Sequence, residues 1–425
     1  MKQGYQKRQR FAEWVLPEEF RVEVADLAGA LKDGLTALGL KAALVIAQQM
    51  LEAEAAQVAG AKGRHQPTSR RRAVRHGHQG GYVVLAGRKV KIQRPRVRTV
   101  DGHEVPLRNY QGLQQPDLLD EAAFERMLYG VASRHYAVAD PTLPADLATY
   151  GAAKSTVSAR FARATGELLQ QFLERPVTTR MLVLYLDAIV LGSHAILVAL
   201  GVDAEGRKHI LGLREGATEN ATVTTALLED LVARGLDTRP GILVVIDGGK
   251  ALATAVTRVF GDRALIQRCQ VHKRRNVLDH LPQQDQGWVN ARLSAAWALP
   301  DAGQAQRDLE ALAAELHVKC PGAAASLREG LDQTLTVQKL RLPAPLRRGL
   351  RTTNAIEALN SQLRATVRRV SRFTTGDQAL RWAAVAALRA EPRLYRIGGY
   401  RYLPLLAEAL EVTVHRLEDV TTQAS

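Results

Sequence analysis

The chain has 425 residues, more than one ordinary hydrophobic core accommodates, so several domains are expected. Its 46% hydrophobic content holds no run long enough to span a bilayer, and no apolar segment follows Met1-Lys2-Gln3-Gly4. Neither a membrane-spanning nor a secreted protein is expected, and a cytoplasmic location is. Only Cys269 and Cys320 are present, which excludes a disulfide framework and a four-thiolate zinc site, while 58 Lys and Arg against 43 Asp and Glu leave +15, favouring nucleic acid as partner over an anionic membrane.

Residues Pro17 to Gly60 read as helices. Phe20, Val24, Leu27 and Leu31 share helical spacing, as do Leu40, Ala43, Ile46 and Met50. The next stretch, Ala61 to Val100, holds twelve Lys or Arg and no Asp or Glu. It begins as a basic loop, Arg70-Arg71-Arg72. Tyr82 to Leu85 and Arg88 to Ile92 then predict a β-hairpin around Ala86-Gly87, with Val90 and Ile92 on one face and basic residues on the other. A lysine-guarded edge strand looks similar. So long a stretch without an acid reads better as a phosphate-contacting surface, with Arg70, Arg71, Arg72, Arg75, Arg88, Lys89 and Lys91 as candidates.

Leu118 to Pro176 is helical in pattern, with an amphipathic stretch from Ala122 to Tyr136 and a turn-rich segment from Asp140 to Tyr150. Ser155 is placed to cap a helix whose apolar face is Val157, Phe161, Ala164, Leu168 and Phe172. A helix, a glycine turn and a helix carrying Lys154, Ser155, Thr156, Ser158 and Arg160 near its start match a helix-turn-helix, and equally a helical hairpin in a bundle.

At Met181 the texture changes to strands. Leu182 to Leu191 is apolar but for Asp187, Ala195 to Val202 is a second strand, and Asp203 to Arg207 turns into a third, His209 to Leu213. Thr222 to Arg234 reads as a helix, Gly241 to Asp247 as a buried strand, Lys250 to Phe260 as a helix and Leu265 to Cys269 as a short strand. A mixed sheet layered with helices follows from that order. Asn276 to Leu342 is helical, with Leu309, Leu312, Ala313 and Leu316 in one stripe, and Thr353 to Val370 and Asp377 to Ala390 add two more helices.

Three carboxylates stand out, each with a plain alternative. Asp187 interrupts an apolar strand, where an uncompensated charge costs several kcal/mol unless it is paired, protonated or metal-bound. Asp247 closes a buried strand before Gly248-Gly249, a place where ligands gather, although by itself it reads as a structural turn residue. Glu357 fits a capping box with Asn354 as N-cap, and its own segment favours that reading over a metal ligand. Cys269 and His272 have the spacing of half a zinc site. With one other cysteine in the chain, a buried Cys and a His paired in the core is the better account. Arg268, Lys273, Arg274 and Arg275 beside them suit a phosphate, or a solvated helix start.

Together these segments resemble the Mutator-type transposases of bacterial insertion sequences. The likeness lies in Leu186-Asp187-Ala188, Val202-Asp203-Ala204-Glu205-Gly206 with Leu211-Gly212-Leu213, and Leu231 to Leu236. It continues in Val245-Ile246-Asp247-Gly248, Gln267 to Asn276 and Arg351 to Glu357, and upstream in Tyr150-Gly151 and Ser155 to Ser158. It covers roughly Arg70 to Phe373. Gly248-Gly249-Lys250-Ala251 departs from the usual Gly-His-Lys-Gly type of run, and the arginine-rich region after the glutamate reads Arg364 to Arg369. The resemblance implies an RNase H-like catalytic domain whose catalytic and metal-holding residues are Asp187, Asp247 and Glu357. It also implies Mg²⁺, with Mn²⁺ able to substitute, and double-stranded DNA (terminal inverted repeats and target) as partner. A homodimer or higher multimer would act on paired ends at the nucleoid, with no membrane.

Arg268, Cys269, His272 and Asn354 are candidates for supporting the carboxylates or contacting phosphate. The fold expected is α/β and multidomain, an RNase H-like mixed sheet with helices on both faces and an all-helical insertion, preceded by helical and small β-hairpin DNA-binding regions. Its boundaries are a helical region 1–64, a basic hairpin region 65–115 and a helix-turn-helix-like region 116–180. Then come a first core part 181–275, an insertion 276–345, a core completion 346–392 and a tail 393–425. The rivals are an inactive or domesticated relative that binds DNA without cutting it, and another nuclease on the same type of sheet.

Overall fold

The computed structural model describes residues 35–61, 73–85, 88–115, 149–150, 154–216, 220–368, 370 and 372–423. The predicted helices around Phe20 to Leu31 and Ala122 to Tyr136, and Arg70 to Arg72, lie outside these residues. The chain separates into two compact units, Met1–Gly166 and Glu167–Ser425.

In the first unit, α1 (Leu35–Ala59) precedes β1 (Ala73–Leu85), β2 (Arg88–Thr99), β3 (Glu104–Val105), α2 (Arg108–Leu113) and β4 (Thr149–Tyr150), and α3 (Lys154–Leu173) crosses the boundary. The hairpin forms as the sequence predicts and runs longer. β1 pairs antiparallel with β2 from Leu85↔Arg88 to Ala73↔Thr99, with a bulge between Arg75 and His78. Val90 and Ile92 are buried while Lys91 is exposed, because side chains alternate across a strand. Ile92, with Val83 and Val97, packs on Ala47, Leu51, Ala55 and Ala59, which recur every four residues along α1. Thr149–Tyr150, inside the segment read as turn-rich, adds a short strand to β2. Glu54 is buried yet satisfied, because its carboxylate accepts the N–H groups of Arg108 (2.6 Å) and Asn109 (2.9 Å) at the start of α2. Ser155 falls inside α3, whose first residue is Lys154, so it does not hold the cap position expected for it.

The second unit is built on β5 (Met181–Leu191), β6 (His194–Asp203), β7 (Lys208–Glu215), α4 (Ala221–Ala233), β8 (Ile242–Ile246), α5 (Lys250–Phe260) and β9 (Ala264–Arg268). The strand order is β7-β6-β5-β8-β9. The first three strands are antiparallel, and β8 and β9 join parallel to β5. Every residue of β8 is buried, as a central parallel strand covered on both faces requires. α4 is capped by Asn220, whose side chain accepts the N–H groups of Thr222 and Val223.

One face of the sheet, with Leu184, Leu186, Val244 and Ile246, shares a core with α4 and α5. Between β9 and the last helices comes an all-helical stretch: α6 (Gln270–Leu278), α7 (Gln283–Ala298), α8 (Ala302–Lys319), α9 (Pro321–Arg328), α10 (Thr336–Lys339) and α11 (Ala344–Leu350). It has its own core, in which Leu309, Leu312, Ala313 and Leu316 form the predicted stripe. α12 (Asn354–Val367) and α13 (Gly376–Ala390) then pack on the sheet, α12 against β5 and α13 against β6 and β7. The segment read as a tail carries a further helix, α14 (Leu403–Gln423). Its Leu403, Leu406, Leu410 and Val414 are buried. Gly241, at φ +88°, leaves room for it, since a Cβ there would lie 3.0 Å from Leu410 and Val414. Among the described residues, no helix is long and apolar enough to cross a membrane.

Candidate active site

Register brings the first two carboxylates together. Leu186 of β5 pairs with Ile246 of β8, and Ile246 pairs with Arg268 of β9. One residue further on, the three neighbouring strands therefore present Asp187, Asp247 and Cys269 at one level, and the Cys269 N–H closes the row by donating to the Ile246 carbonyl at 2.8 Å. β8 stops here because Gly248 turns at φ +112°, with the Gly249 N–H donating to Asp247 Oδ1 at 2.9 Å. Asp187 alternates with Leu186 and so faces α12, away from the core shared with α4 and α5.

α12 supplies the third carboxylate. Its N-cap is Thr353, Asn354 is its first helical residue, and no side chain caps it, so the predicted capping box does not form. Glu357 instead accepts a hydrogen bond from the Thr353 hydroxyl at 2.7 Å. That hydroxyl also lies 3.3 Å from Cys269 Sγ and 3.3 Å from His272 Nδ1. The Thr353 N–H points at the same sulfur, 3.4 Å away. Glu357 is thus held by a cluster that joins the Cys-x-x-His turn to the helix start, with His272 Nδ1 3.8 Å from Glu357 Oε1.

Sequence reasoning missed two residues here. Asn360 is 1% exposed, donates from Nδ2 to Asp187 Oδ2 at 2.8 Å, and has a buried Oδ1 without a hydrogen-bond partner. Its signal was its spacing, three residues after Glu357 and so on the same helix face. Thr353 was legible only as part of a motif, not as the link it makes.

Burial first, and then the Asp247 and Glu357 carboxylates, raise the Asp187 carboxyl above its ordinary value, against the opposing pull of the Ala188 N–H and His272. Asp203 shows how this chain treats a purely structural buried carboxylate. It is 1% exposed and takes the Arg207 N–H at 2.8 Å and His209 Nε2 at 2.8 Å. The three carboxylates near α12 have no Lys or Arg within ion-pair distance among the described residues.

Burial pushes the Cys269 thiol up, but hydrogen bonding with His272 and Thr353 outweighs it and leaves the thiol below its ordinary value. His272 is raised by Cys269 and then by Glu357 and Asp247. The ligand atoms of Cys269, His272 and Glu357 lie within 4.8 Å of one another, so a softer ion has a partial donor set here. A closed zinc site needs a fourth donor, and the sulfur is already occupied by Thr353. Asp187, Asp247 and Glu357 offer instead the hard oxygens that Mg²⁺ prefers, with repulsion among them for an ion to relieve.

The other candidates fall into distinct places. Arg268 is 4% exposed, and its guanidinium donates to the Gly248 carbonyl at 2.6 Å and the Glu329 carbonyl at 3.0 Å. It is a strut behind the Asp247 turn, turned away from solvent. Asn354 is exposed. In the first unit Arg75 is committed to Glu52 at 2.6 Å, and Arg96 and Arg98 share Glu104, with Arg96 first in holding that carboxyl down to about 2. Lys89 lies over the Tyr82 ring and Lys91 is exposed. Arg88 sits at the hairpin turn, Lys154, Thr156 and Arg160 sit in the first turns of α3, and Ser158 is exposed there. The partner helix of the expected helix-turn-helix lies outside the described residues.

A model of the Mutator family of transposases matches residues 23–391. The chain is 30% identical over 368 residues to a transposase for an insertion sequence element of Rhizobium meliloti, covering 84% of this chain and 88% of that protein. It is 28% identical over 379 residues to another from Burkholderia multivorans, with 86% and 93% covered. A third, from Mycobacterium tuberculosis, is 30% identical over 327 residues, with 73% and 76% covered.

Proposed function

Because the chain belongs to the Mutator family of transposases, we propose that it binds the terminal inverted repeats of its own element and cuts and joins DNA there through Asp187, Asp247 and Glu357. The carrying observation is that a carboxylate within β5, a second just past the end of β8 and a third on α12 come within electrostatic reach of one another, with no Lys or Arg within ion-pair distance among the described residues. In this reading the five-strand sheet is RNase H-like, 181–275 and 346–392 form the catalytic core, and 276–345 is an insertion. Residues 65–115 and 116–180 are regions that hold DNA.

The reaction is phosphoryl transfer. Water attacks a phosphodiester at the element end, the bond to the 3′ oxygen breaks, and the freed 3′-hydroxyl attacks a second phosphodiester, displacing its leaving oxygen. Mg²⁺, or Mn²⁺ in its place, would be held by Asp187, Asp247 and Glu357 and would neutralise charge on the attacking and leaving oxygens. Asn360 orients Asp187 from one side and the Ala188 N–H from the other. Thr353 holds Glu357 in its rotamer, and Arg268 braces the Asp247 turn from behind. No protein nucleophile is required. A multimer on paired ends in the cytoplasm, at the nucleoid, fits this chemistry.

The test is purified protein with labelled DNA carrying the element's own ends, with Mg²⁺ or Mn²⁺. Cleaved and joined products are expected, and Asp187→Ala should end them while end binding persists. A protein that binds the ends and makes no product under either ion is a domesticated DNA-binding relative instead.

A further inference from the structure

The helical stretch also forms a cavity of about 390 Å³. Arg347 and Arg348 of α11 and Arg351 just beyond it line the cavity, together with Trp297, Gln270 and Gln338. A fourth guanidinium, Arg274 of α6, lies 5.8 Å from the Trp297 ring centre, and its Nε is buried without a partner. Among the described residues none of the four has a carboxylate within 4.0 Å. The walls are firm. Gln270 Nε2 donates to the Thr334 carbonyl at 2.8 Å, Gln338 Nε2 to the Trp297 carbonyl at 3.3 Å, and Arg347 Nη1 to the Leu299 carbonyl at 3.1 Å.

Cations in the last turn of a short helix offset its dipole, and that accounts for Arg347 and Arg348. It does not account for four guanidinium groups drawn together without an acid. Burial, and then Arg274, Arg348 and Arg347, hold Arg351 below its ordinary value, so the cluster stands under its own repulsion. The walls are mixed, with Ala298, Val337 and Ala344 beside the glutamines, but three planar cationic forks at a volume ample for a tetrahedral oxyanion describe a phosphate receptor. The pocket and the carboxylate site share one stretch of chain. The Gln270 N–H donates to the Arg351 carbonyl at 3.0 Å, and Thr353, two residues on, donates to Glu357.

We propose that this arginine pocket receives a backbone phosphate of the DNA on which the carboxylate site acts, and so sets the strand's position relative to Glu357. The proposal rests on the DNA-processing reading above. Phosphate contacts of this kind fix register and carry no sequence preference, so the pocket acts on any duplex.

The experiment titrates the full-length chain into a fluorescent 30-base-pair duplex over a range of KCl concentrations. It compares the parent with Arg348→Ala, whose side chain is exposed, with the Arg348→Lys variant, and with Arg347→Ala/Arg351→Ala. Thermal melts establish that each variant is folded. Arg348→Ala should flatten the log-log salt slope by roughly 0.9 and the double variant by about twice that, with Arg348→Lys near the parent. A parent that binds while every folded variant keeps its slope overturns the pocket alone. A parent that binds no duplex at all overturns the DNA reading and the pocket with it. Inorganic phosphate in the melts separates the two sources of the anion. If it stabilises the parent but not the variants while the DNA slopes stay equal, the site is for free phosphate and the DNA assignment is wrong.

Discussion

The hairpin of the first unit and the carboxylate end of the sheet in the second carry opposite charges and dispose of them in opposite ways. Along the hairpin, cations from an acid-free stretch meet acids from outside it. Glu52 of α1 takes Arg75 and His78, and Glu104 takes Arg96 and Arg98. Near the end of β8, carboxylates from three separate segments come within electrostatic reach of one another, with Asn360, Thr353 and His272 as neighbours but no Lys or Arg within ion-pair distance among the described residues. A run of like charge in a sequence is therefore partly consumed by folding. A cluster that folding itself assembles with one histidine and no Lys or Arg to offset it is the stronger sign of a site, because much of its repulsion and desolvation is left for a ligand to offset.

The largest effects are expected at the carboxylates. Asp187→Ala and Glu357→Ala are each expected to lower metal-dependent strand cleavage on the order of a thousand-fold, several kcal/mol of lost charge stabilisation, with duplex binding little changed. Full activity in a folded Glu357→Ala protein would remove Glu357 from the site and leave it a helix-start residue. A smaller loss is expected from Asn360→Leu, about ten- to a hundred-fold in activity, together with a higher Mg²⁺ requirement and weaker Tb³⁺ luminescence on titration. Unchanged metal titrations with a lowered melting temperature would make Asn360 a packing residue only.

At the hairpin, the contrast is between Arg75 and Lys91. Arg75→Ala is expected to cost about 1 kcal/mol in a urea melt and to leave the salt slope of DNA binding alone. Lys91→Ala should leave the melt alone and flatten that slope by roughly 0.9. Reversed outcomes would mean that the structural ion pair, and not the exposed lysine, is the contact with DNA.

A further effect concerns Lys273, which donates to the Ser326 and Glu329 carbonyls and whose ammonium is brought down to about 8 by burial and then by Arg268. Its value in the unfolded chain is the ordinary 10.5. Between these two values the unfolded state binds more protons, so the stability this group withholds at neutral pH returns as pH rises from about 8 towards 10.5. Parent protein should gain stability relative to Lys273→Met between pH 7.5 and 9.5. Parallel pH profiles for the two proteins would show that the lysine keeps its ordinary titration.

Much of this molecule is legible in the amino-acid sequence because the determinants are local. The alternation of Val90 and Ile92 with lysines, the continuous burial of Ile242 to Ile246, the Asn220 cap and the Leu309 to Leu316 stripe each follow from periodicity or capping within a few residues. α14 was equally legible, since Leu403, Leu406, Leu410 and Val414 keep helical spacing, and reading that stretch as a tail overlooked it. The Asp187 anomaly was visible too, as a charge inside an apolar strand. How distant segments meet is instead fixed by the three-dimensional packing. Register sets Asp187, Asp247 and Cys269 at one level. Thr353, not Asn354, takes the helix start and leaves Glu357 facing the Cys-x-x-His turn. Asn360 becomes a partner of Asp187 across 173 positions of chain. Glu52 and Arg75 find each other for the same reason. Spacing along a chain encodes which face a residue takes, whereas the choice of partner across elements is settled by the packing of the whole core.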